Sequence, residues 1–386
     1  MRKEKVSFID LEVMRQIIGN RIILLISLLI LSACNIFSAE EDRETPFLKE
    51  LKKNFPKSDF GINDEGMYWV SFWGNRGDSL EEWYSIFRNK EDSISSFTFI
   101  YYENISQDLI HLKKFKNLSK LQIIESKLDE IPPFFLNFDK LEYLLLNNNE
   151  ITSIPKDINK LDKLKKLSLY QNKIKKVPAE ICSITTLEVF SIADNLIKTL
   201  PKNIGNLHQL RGLSISGNPN LNALPSSIKK LSKLRNLHLK GCVNLKSFPD
   251  SLWLIDSLIK ITLSEMELTK VPDFVWKCDQ IKILRLSSNQ LTSISPSIGN
   301  LINLEKLELD DNKLTSLPSE IGNCTEIFSF HVEYNHLTTL PASICNLKKM
   351  KYFATRRNPW EWMPSCIDDA FEIYHKNGSK PGVERR

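Results

Sequence analysis

Leu141-x-x-Leu144-x-Leu146-x-x-Asn149-x-Ile151-x-x-Ile154-Pro155-x-x-Ile158-x-x-Leu161 decides the fold, because the same frame recurs down the chain. Its asparagine place is filled by Asn149, Asn172, Asn195, Asn218, Cys242, Met266, Asn289, Asn312, Asn335 and Asn358, at steps of 23 residues, or 24 for the two that reach Cys242 and Met266. The proline recurs from Pro132 and Pro155 to Pro341 and Pro364 and slips by one place at Pro296. An earlier unit built on Leu118, Leu121 and Ile123 has Ser126 at the asparagine place, which makes eleven clear units between Leu118 and Pro364, with a degenerate one near Ile94. A period of this length marks stacked supersecondary units.

Leu144 and Leu146 alternate with period 2 and point to one side of a short strand, while Leu145 points to the other. One unit cannot bury its leucines alone, so stacked units share a continuous core beneath a ladder of parallel strands. The asparagine turns the chain out of the strand, and its amide can satisfy main-chain groups of adjacent turns that would otherwise be buried unpaired. Proline then fixes φ at the start of a short helical segment whose Ile and Leu pack inward. With Cys242 and Met266 replacing asparagine in succession, the ladder is expected to be interrupted twice.

This frame resembles the leucine-rich repeat family, in its 23-residue type with Leu-Pro-x-x-Ile, over roughly two thirds of the chain. The resemblance implies an α/β solenoid, a horseshoe with a concave parallel sheet, short helical segments on the convex side and terminal caps. It also implies protein binding on the concave face. Residues 94–364 are assigned to repeats, 46–93 to an amino-terminal cap and 365–386 to a carboxyl-terminal cap. The first cap has an expected helix around Phe47–Phe55, an aromatic strand Met67–Trp73 and an amphipathic helix Ser79–Phe87. A short helix is expected from Ile367 to Tyr374.

The composition is that of a globular protein, 42% hydrophobic and 26% charged. Thirteen glycines and no Gly-rich phosphate loop or G-x-S-x-G elbow argue against nucleotide and hydrolase chemistry, and no cofactor or small-molecule substrate is expected. The net charge of +5 falls to +3 without residues 1–33, so nucleic acid is not an expected partner.

Arg21 precedes an apolar run from Ile22 to Leu31, too short to span a bilayer, and Leu31-Ser32-Ala33-Cys34 follows. That tetrapeptide resembles the lipobox of bacterial lipoproteins. The resemblance implies a signal peptide at 1–33, lipidation of Cys34 and anchoring in the bacterial envelope, periplasmic or surface-exposed, with the acidic stretch 34–45 as a spacer. Met14 is the expected translation start. Acyl chains contribute about 0.8 kcal/mol per buried methylene, so two or three give a stable anchor. Of the other six cysteines, Cys278 and Cys324 replace inward Ile or Leu; no C-x-x-C occurs, and Cys345 and Cys366, about one repeat apart, can pair or stay free.

Frame and alternation place an apolar zone on the concave face, with Ile124, Tyr143, Leu145, Tyr170 and Val189 as candidate partner contacts. A small-residue floor follows at Ser191, Ala193, Gly212, Ser214, Ser216 and Gly217. Beyond it lies a charged zone of Arg285, Glu308, Asp310, Asp311, His331 and Glu333, flanked by Arg356 and Arg357, which reads as a partner-selecting patch rather than a metal site. His331 has no serine or cysteine nucleophile paired with it in the frame, so it is not read as a catalytic base. The chain is expected to be no enzyme but a lipid-anchored protein for recognition, adhesion or scaffolding. The alternatives are an intracellular signalling scaffold and a ubiquitin-ligase-like effector, for which the 22 residues after Pro364 are too few.

Overall fold

The computed structural model describes residues 45–54, 58–73, 80–102, 105 and 109–367. The apolar amino-terminal run, Met14, Cys34 and nearly all of the acidic spacer lie outside them, as does the expected helix beyond Ile367. The chain divides into two compact units, Met1–Lys53 and Asn54–Arg386. All but the last residue of helix α1 (Pro46–Asn54) lies in the first, and the helix buries Phe47 and Leu51, four apart on one face. No helix among the described residues is long and apolar enough to cross a membrane.

The second unit is one 14-stranded sheet whose strands lie in chain order. β1 (Asp59–Ile62) pairs antiparallel with β2 (Tyr68–Trp73), and every later pairing is parallel, beginning with β2 on β3 (Ile94–Ile100) and β3 on β4 (Lys120–Ile124). From β5 (Tyr143–Leu145) and β6 (Lys166–Ser168) the strands shorten to three residues, through β7 (Val189–Ser191), β8 (Gly212–Ser214), β9 (Asn236–His238) and β10 (Lys260–Thr262). β11 (Ile283–Arg285), β12 (Lys306–Glu308), β13 (Ser329–His331) and β14 (Tyr352–Ala354) complete the sheet. Their central residues, among them Leu144, Phe190, Leu237, Leu284 and Phe330, align in register and are fully buried. The degenerate unit near Ile94 is therefore a true member of the stack.

Between strands the chain returns through 3-10 helices, most of them entered from a proline with φ near −60° or −70°, as at Pro155 and Pro178. The slip at Pro296 has a local cause. Ser295 takes the capping place, its hydroxyl accepting from the Ser297 N–H at 3.2 Å, and Pro296 moves to the first helical position, where its missing donor costs nothing.

The asparagines tie neighbouring units together. Asn195 Oδ1 accepts the Ile174 N–H (2.9 Å), and its Nδ2 donates to the Leu169 carbonyl (2.8 Å), both in the preceding unit. Asn172, Asn312, Asn335 and Asn358 repeat the pattern. The residue just before each of these asparagines is left-handed, for example Gln171 (φ 54°) and Asp194 (φ 51°).

The expected double interruption does not occur. Cys242 Sγ donates to the Ile215 carbonyl at 3.2 Å, and the extra residue of the 24-residue step lets the main chain close its own turns, Leu221 N–H on Asn218 C=O (3.0 Å) and Leu245 N–H on Cys242 C=O (3.0 Å). At Met266 the following Asn289 Oδ1 accepts two N–H groups, those of Met266 (3.0 Å) and Leu268 (3.1 Å). Asn149 does the same for Ser126 (3.0 Å) and Leu128 (3.1 Å), and both exceptional units carry a second left-handed residue, Lys127 and Glu267.

Each end of the core is closed. At the amino end β2 and α2 (Leu80–Phe87) supply rings to a cluster in which Phe72 stacks on Phe99 (5.3 Å), and Phe97 meets Phe115 edge-on (4.8 Å) and Phe87 edge-on (5.7 Å). At the carboxyl end Phe330 stacks on Phe353, Trp360 Nε1 donates to the Thr355 carbonyl (3.0 Å), and Cys345 and Cys366 form a disulfide. Cys182, Cys242, Cys278 and Cys324 are free and buried.

Asn195→Ala leaves the Ile174 N–H buried without its acceptor and takes from the Leu169 carbonyl one of its two amide donors, Asn172 Nδ2 being the other, and is expected to cost about 2–3 kcal/mol. Cys242→Ala removes one weak sulfur donor and is expected to cost about 1 kcal/mol. Equilibrium urea unfolding of both variants checks the difference; equal losses would refute it.

Candidate functional site

In-register parallel pairing sets three outward rows across the strand face. The first runs through the opening residues, from Lys120 and Tyr143 through Lys166, Val189, Gly212 and Lys260 to Lys306 and Tyr352. The second runs through Gln122, Leu145, Ser168, Ser191, Ser214, His238, Thr262, Arg285, Glu308, His331 and Ala354. The third lies just beyond the strands.

The apolar zone is only partly available to a partner. Tyr143 is 37% exposed, and Val189 and Tyr170 are half-buried. Ile124 and Leu145, expected as surface contacts, are 6% and 3% exposed and belong to the packed face. Alternation gives their direction correctly, but both sit in closely stacked strands where the neighbouring units cover them.

Tyr170 is a fixed group. Its main-chain N–H donates to Asn147 Oδ1 (3.1 Å), which also accepts from Ser168 Oγ (2.7 Å). Its phenol bonds to Asp194, and partial burial together with that carboxylate pushes its pKa up to about 12. The Asp194 carboxyl is raised in turn, chiefly by desolvation. Gly217, in left-handed conformation (φ 61°), lies under that carboxyl; a Cβ there would come 1.6 Å from Asp194 Oδ1. Gly212, Ser214, Ser216 and Gly217 thus form a low floor, and a Cβ built on Gly241, also left-handed (φ 73°), would come 3.6 Å from the Gly217 main chain.

The carboxyl-terminal strands hold the charged zone. Glu308 is paired twice, with Arg285 Nε (3.1 Å) and Lys306 Nζ (2.8 Å). Asp310 accepts the Glu333 N–H (3.0 Å) and the Ser287 hydroxyl (3.4 Å), and lies 3.9 Å from His331 Nδ1. Burial raises its pKa, an effect the His331 charge opposes. Arg356 Nε stands 4.0 Å from Glu333, and Asp311 is exposed. Among the described residues no group of three or more His, Cys, Asp or Glu is arranged to hold a metal ion.

One sequence expectation is corrected here. Ser329 Oγ lies 3.0 Å from His331 Nε2, so a serine does pair with this histidine, two places earlier on the same strand face. With Asp310 the three form a serine–histidine–aspartate line, yet Ser329 is 4% exposed and β13 is paired on both sides. The ladder uses its main-chain donors, which leaves none for an oxyanion.

Residues the repeat frame did not single out are Lys166, Lys260 and Lys306 in the first row, and the exposed aromatics Phe328, Tyr334, Tyr352 and Trp362 near the carboxyl end. Reading the residue before each central strand leucine as a third outward series would have found the lysines and Tyr352.

Two segments match family models, residues 139–180 a model described as leucine-rich repeats in two copies and residues 279–337 one described as leucine-rich repeat. The chain carries leucine-rich repeats, and its architecture is that of a leucine-rich repeat solenoid. No curated protein matches the sequence. Among solved structures, a leucine-rich repeat protein of Leptospira interrogans is 26% identical over 77% of this chain and 85% of that one, with a TM-score of 0.61. An internalin of Listeria monocytogenes is 18% identical over 75% and 87%, with a TM-score of 0.57. A plant peptide hormone receptor in complex with its ligand is 22% identical over 81% of this chain and 55% of that one, at 0.53. The last two likenesses are of fold.

His238 supplies a pH test. Burial first, then Lys260 and Arg285, lower its pKa from 6.5 to about 4. Between those values the unfolded chain binds more protons, so the support His238 gives the fold is complete above about pH 6.5 and is lost as pH falls through 4. The raised Asp310 carboxyl works in the opposite direction. The unfolding free energy should fall on the order of 2 kcal/mol across that window because of His238, and His238→Gln should flatten this part of the profile measured by denaturant titration.

Proposed function

We propose that this chain is a leucine-rich repeat protein of the 23-residue Leu-Pro-x-x-Ile type, lipid-anchored at Cys34 in the bacterial envelope, which binds a protein partner across its strand face for adhesion or scaffolding. The observation that carries the reading is the face itself. Tyr143, Tyr170 and Val189 stand beside a floor of glycine and serine, a combination of fixed aromatic anchors and free depth that suits a few dominant contacts. The plant receptor with this fold holds a ligand, and the disulfide between Cys345 and Cys366 supports an oxidising compartment over the cytosol.

Two measurements test the reading. Labelled palmitate should enter the wild-type chain in a bacterial host and not Cys34→Ala; equal labelling, or none in either, removes the anchor from the proposal. A partner recovered from envelope or host extract should bind Tyr143→Ala/Tyr170→Ala more weakly by about 2 kcal/mol in calorimetry, while the circular dichroism of the variant stays that of the wild type. Unchanged affinity places the docking site elsewhere.

A further inference from the structure

Between the small-residue floor and the carboxylates of β12 and β13, the strand face gathers positive charge that the protein itself leaves unneutralised. Register aligns Asn236, Lys260, Ile283 and Lys306 in the first row and His238, Thr262, Arg285 and Glu308 in the second. Neighbouring strands are about 4.8 Å apart, so the three cations lie within two strand spacings. Lys260, Arg285 and Lys306 are half-buried, which strengthens their mutual repulsion. The single carboxylate in these two rows, Glu308, is already shared between Arg285 and Lys306. The Lys260 main-chain N–H donates to the Arg235 carbonyl (2.9 Å), but the Lys260 ammonium makes no ion pair or hydrogen bond among the described residues. Arg285 Nε is buried and, although near Glu308, has no hydrogen-bond acceptor in good geometry. The lowered pKa values of Lys260 and His238 have the same cause, burial followed by neighbouring cations.

We propose that this block receives the acidic side chains of an extended partner segment whose apolar residues rest on the floor beside Val189 and Tyr143. The inference rests on the strand-face reading above and gives the partner its chemistry. An acidic peptide is favoured because apolar and cationic groups alternate within one continuous strip: Val189, the glycine and serine floor, then Lys260, Ile283 and Lys306. From Val189 to Lys260 is three strand spacings, about 14 Å, the span of about four extended residues. The partner segment therefore carries its acid about four places from its apolar anchor.

The test uses the full chain in detergent and three sets of fluorescein-labelled ten-residue peptides, each with aromatic or aliphatic anchors. One set has Asp or Glu at varied distance from the anchor, the second the Asn or Gln isosteres, the third Lys. Fluorescence anisotropy should show the acidic set bound at least about tenfold more tightly, best at a spacing near four, with Lys260→Met and Arg285→Met each removing most of that preference. In the free protein Lys260→Met should raise the thermal midpoint by about 2 °C, because an uncompensated half-buried charge is gone. Lys165→Met, which breaks the Glu142 pair, should not raise it. Lys260→Gln serves if the methionine variant does not fold.

Equal binding of acidic and amide peptides, with no effect of Lys260→Met, overturns the inference and leaves the strand-face reading standing if Tyr143→Ala still weakens them. No binding by any peptide overturns both. Inorganic phosphate that displaces the acidic peptides and stabilises the protein more than they do assigns the block to small anions and also overturns it.

Discussion

The two-sided hydrogen bonding of one buried amide side chain sets the form of the rest. Each asparagine accepts a main-chain N–H and donates to a main-chain carbonyl of the unit before it, so it measures the distance between units as well as filling their polar groups. A buried N–H or C=O left unpaired costs roughly 1–3 kcal/mol, and a stack of many turns would accumulate that cost at every step. The left-handed residue before the asparagine is the price of aiming the amide back into the core. Non-glycine residues accept that conformation at Gln171, Asp194, Ser288 and Asp311, which shows how strongly the surrounding bonds determine it.

From that constraint follows the regularity of the strand face. Because units are held in register, a side chain on one strand meets the side chain one repeat away. At the margin of the face, charges are matched across this step: Lys165 pairs with Glu142, Arg211 with Glu188 and Lys282 with Glu305. These exposed pairs each contribute little to stability. Each matches one charge to its neighbour one unit away, whereas the Lys260 ammonium has no such partner among the described residues.

Much of this was legible in the sequence. The period, the inward leucines, the prolines and the aromatic cap need only the alternation of a strand and the fixed φ of proline, both properties of the chain itself. Burial of Ile124 and Leu145 was not legible, because alternation fixes direction while depth depends on the volume of side chains 23 residues away. The repairs at Cys242 and Met266 were hidden for a related reason. They are made by a thiol, by main-chain turns and by an asparagine in the next unit, so no single position announces them. The Ser329–His331 contact joins two places of one strand, whereas the repeat frame compares places one unit apart and does not reveal it.

The cysteines show how the same core governs chemistry at the end of the stack. Six lie beyond Cys34, and random pairing would offer many wrong bridges to a chain folding in an oxidising place. Cys182, Cys242, Cys278 and Cys324 are buried in the solenoid, and desolvation pushes their pKa values up to about 11 or 12. Thiol exchange proceeds through the thiolate, so these four are chemically silent once the units close. Cys345 and Cys366 stand 21 residues apart, on either side of β14. A bridge closing a loop of that size stabilises by about 3 kcal/mol in the chain-entropy description. Among the described residues the solenoid therefore protects its interior thiols by packing and sets its disulfide beside the last strand of the sheet.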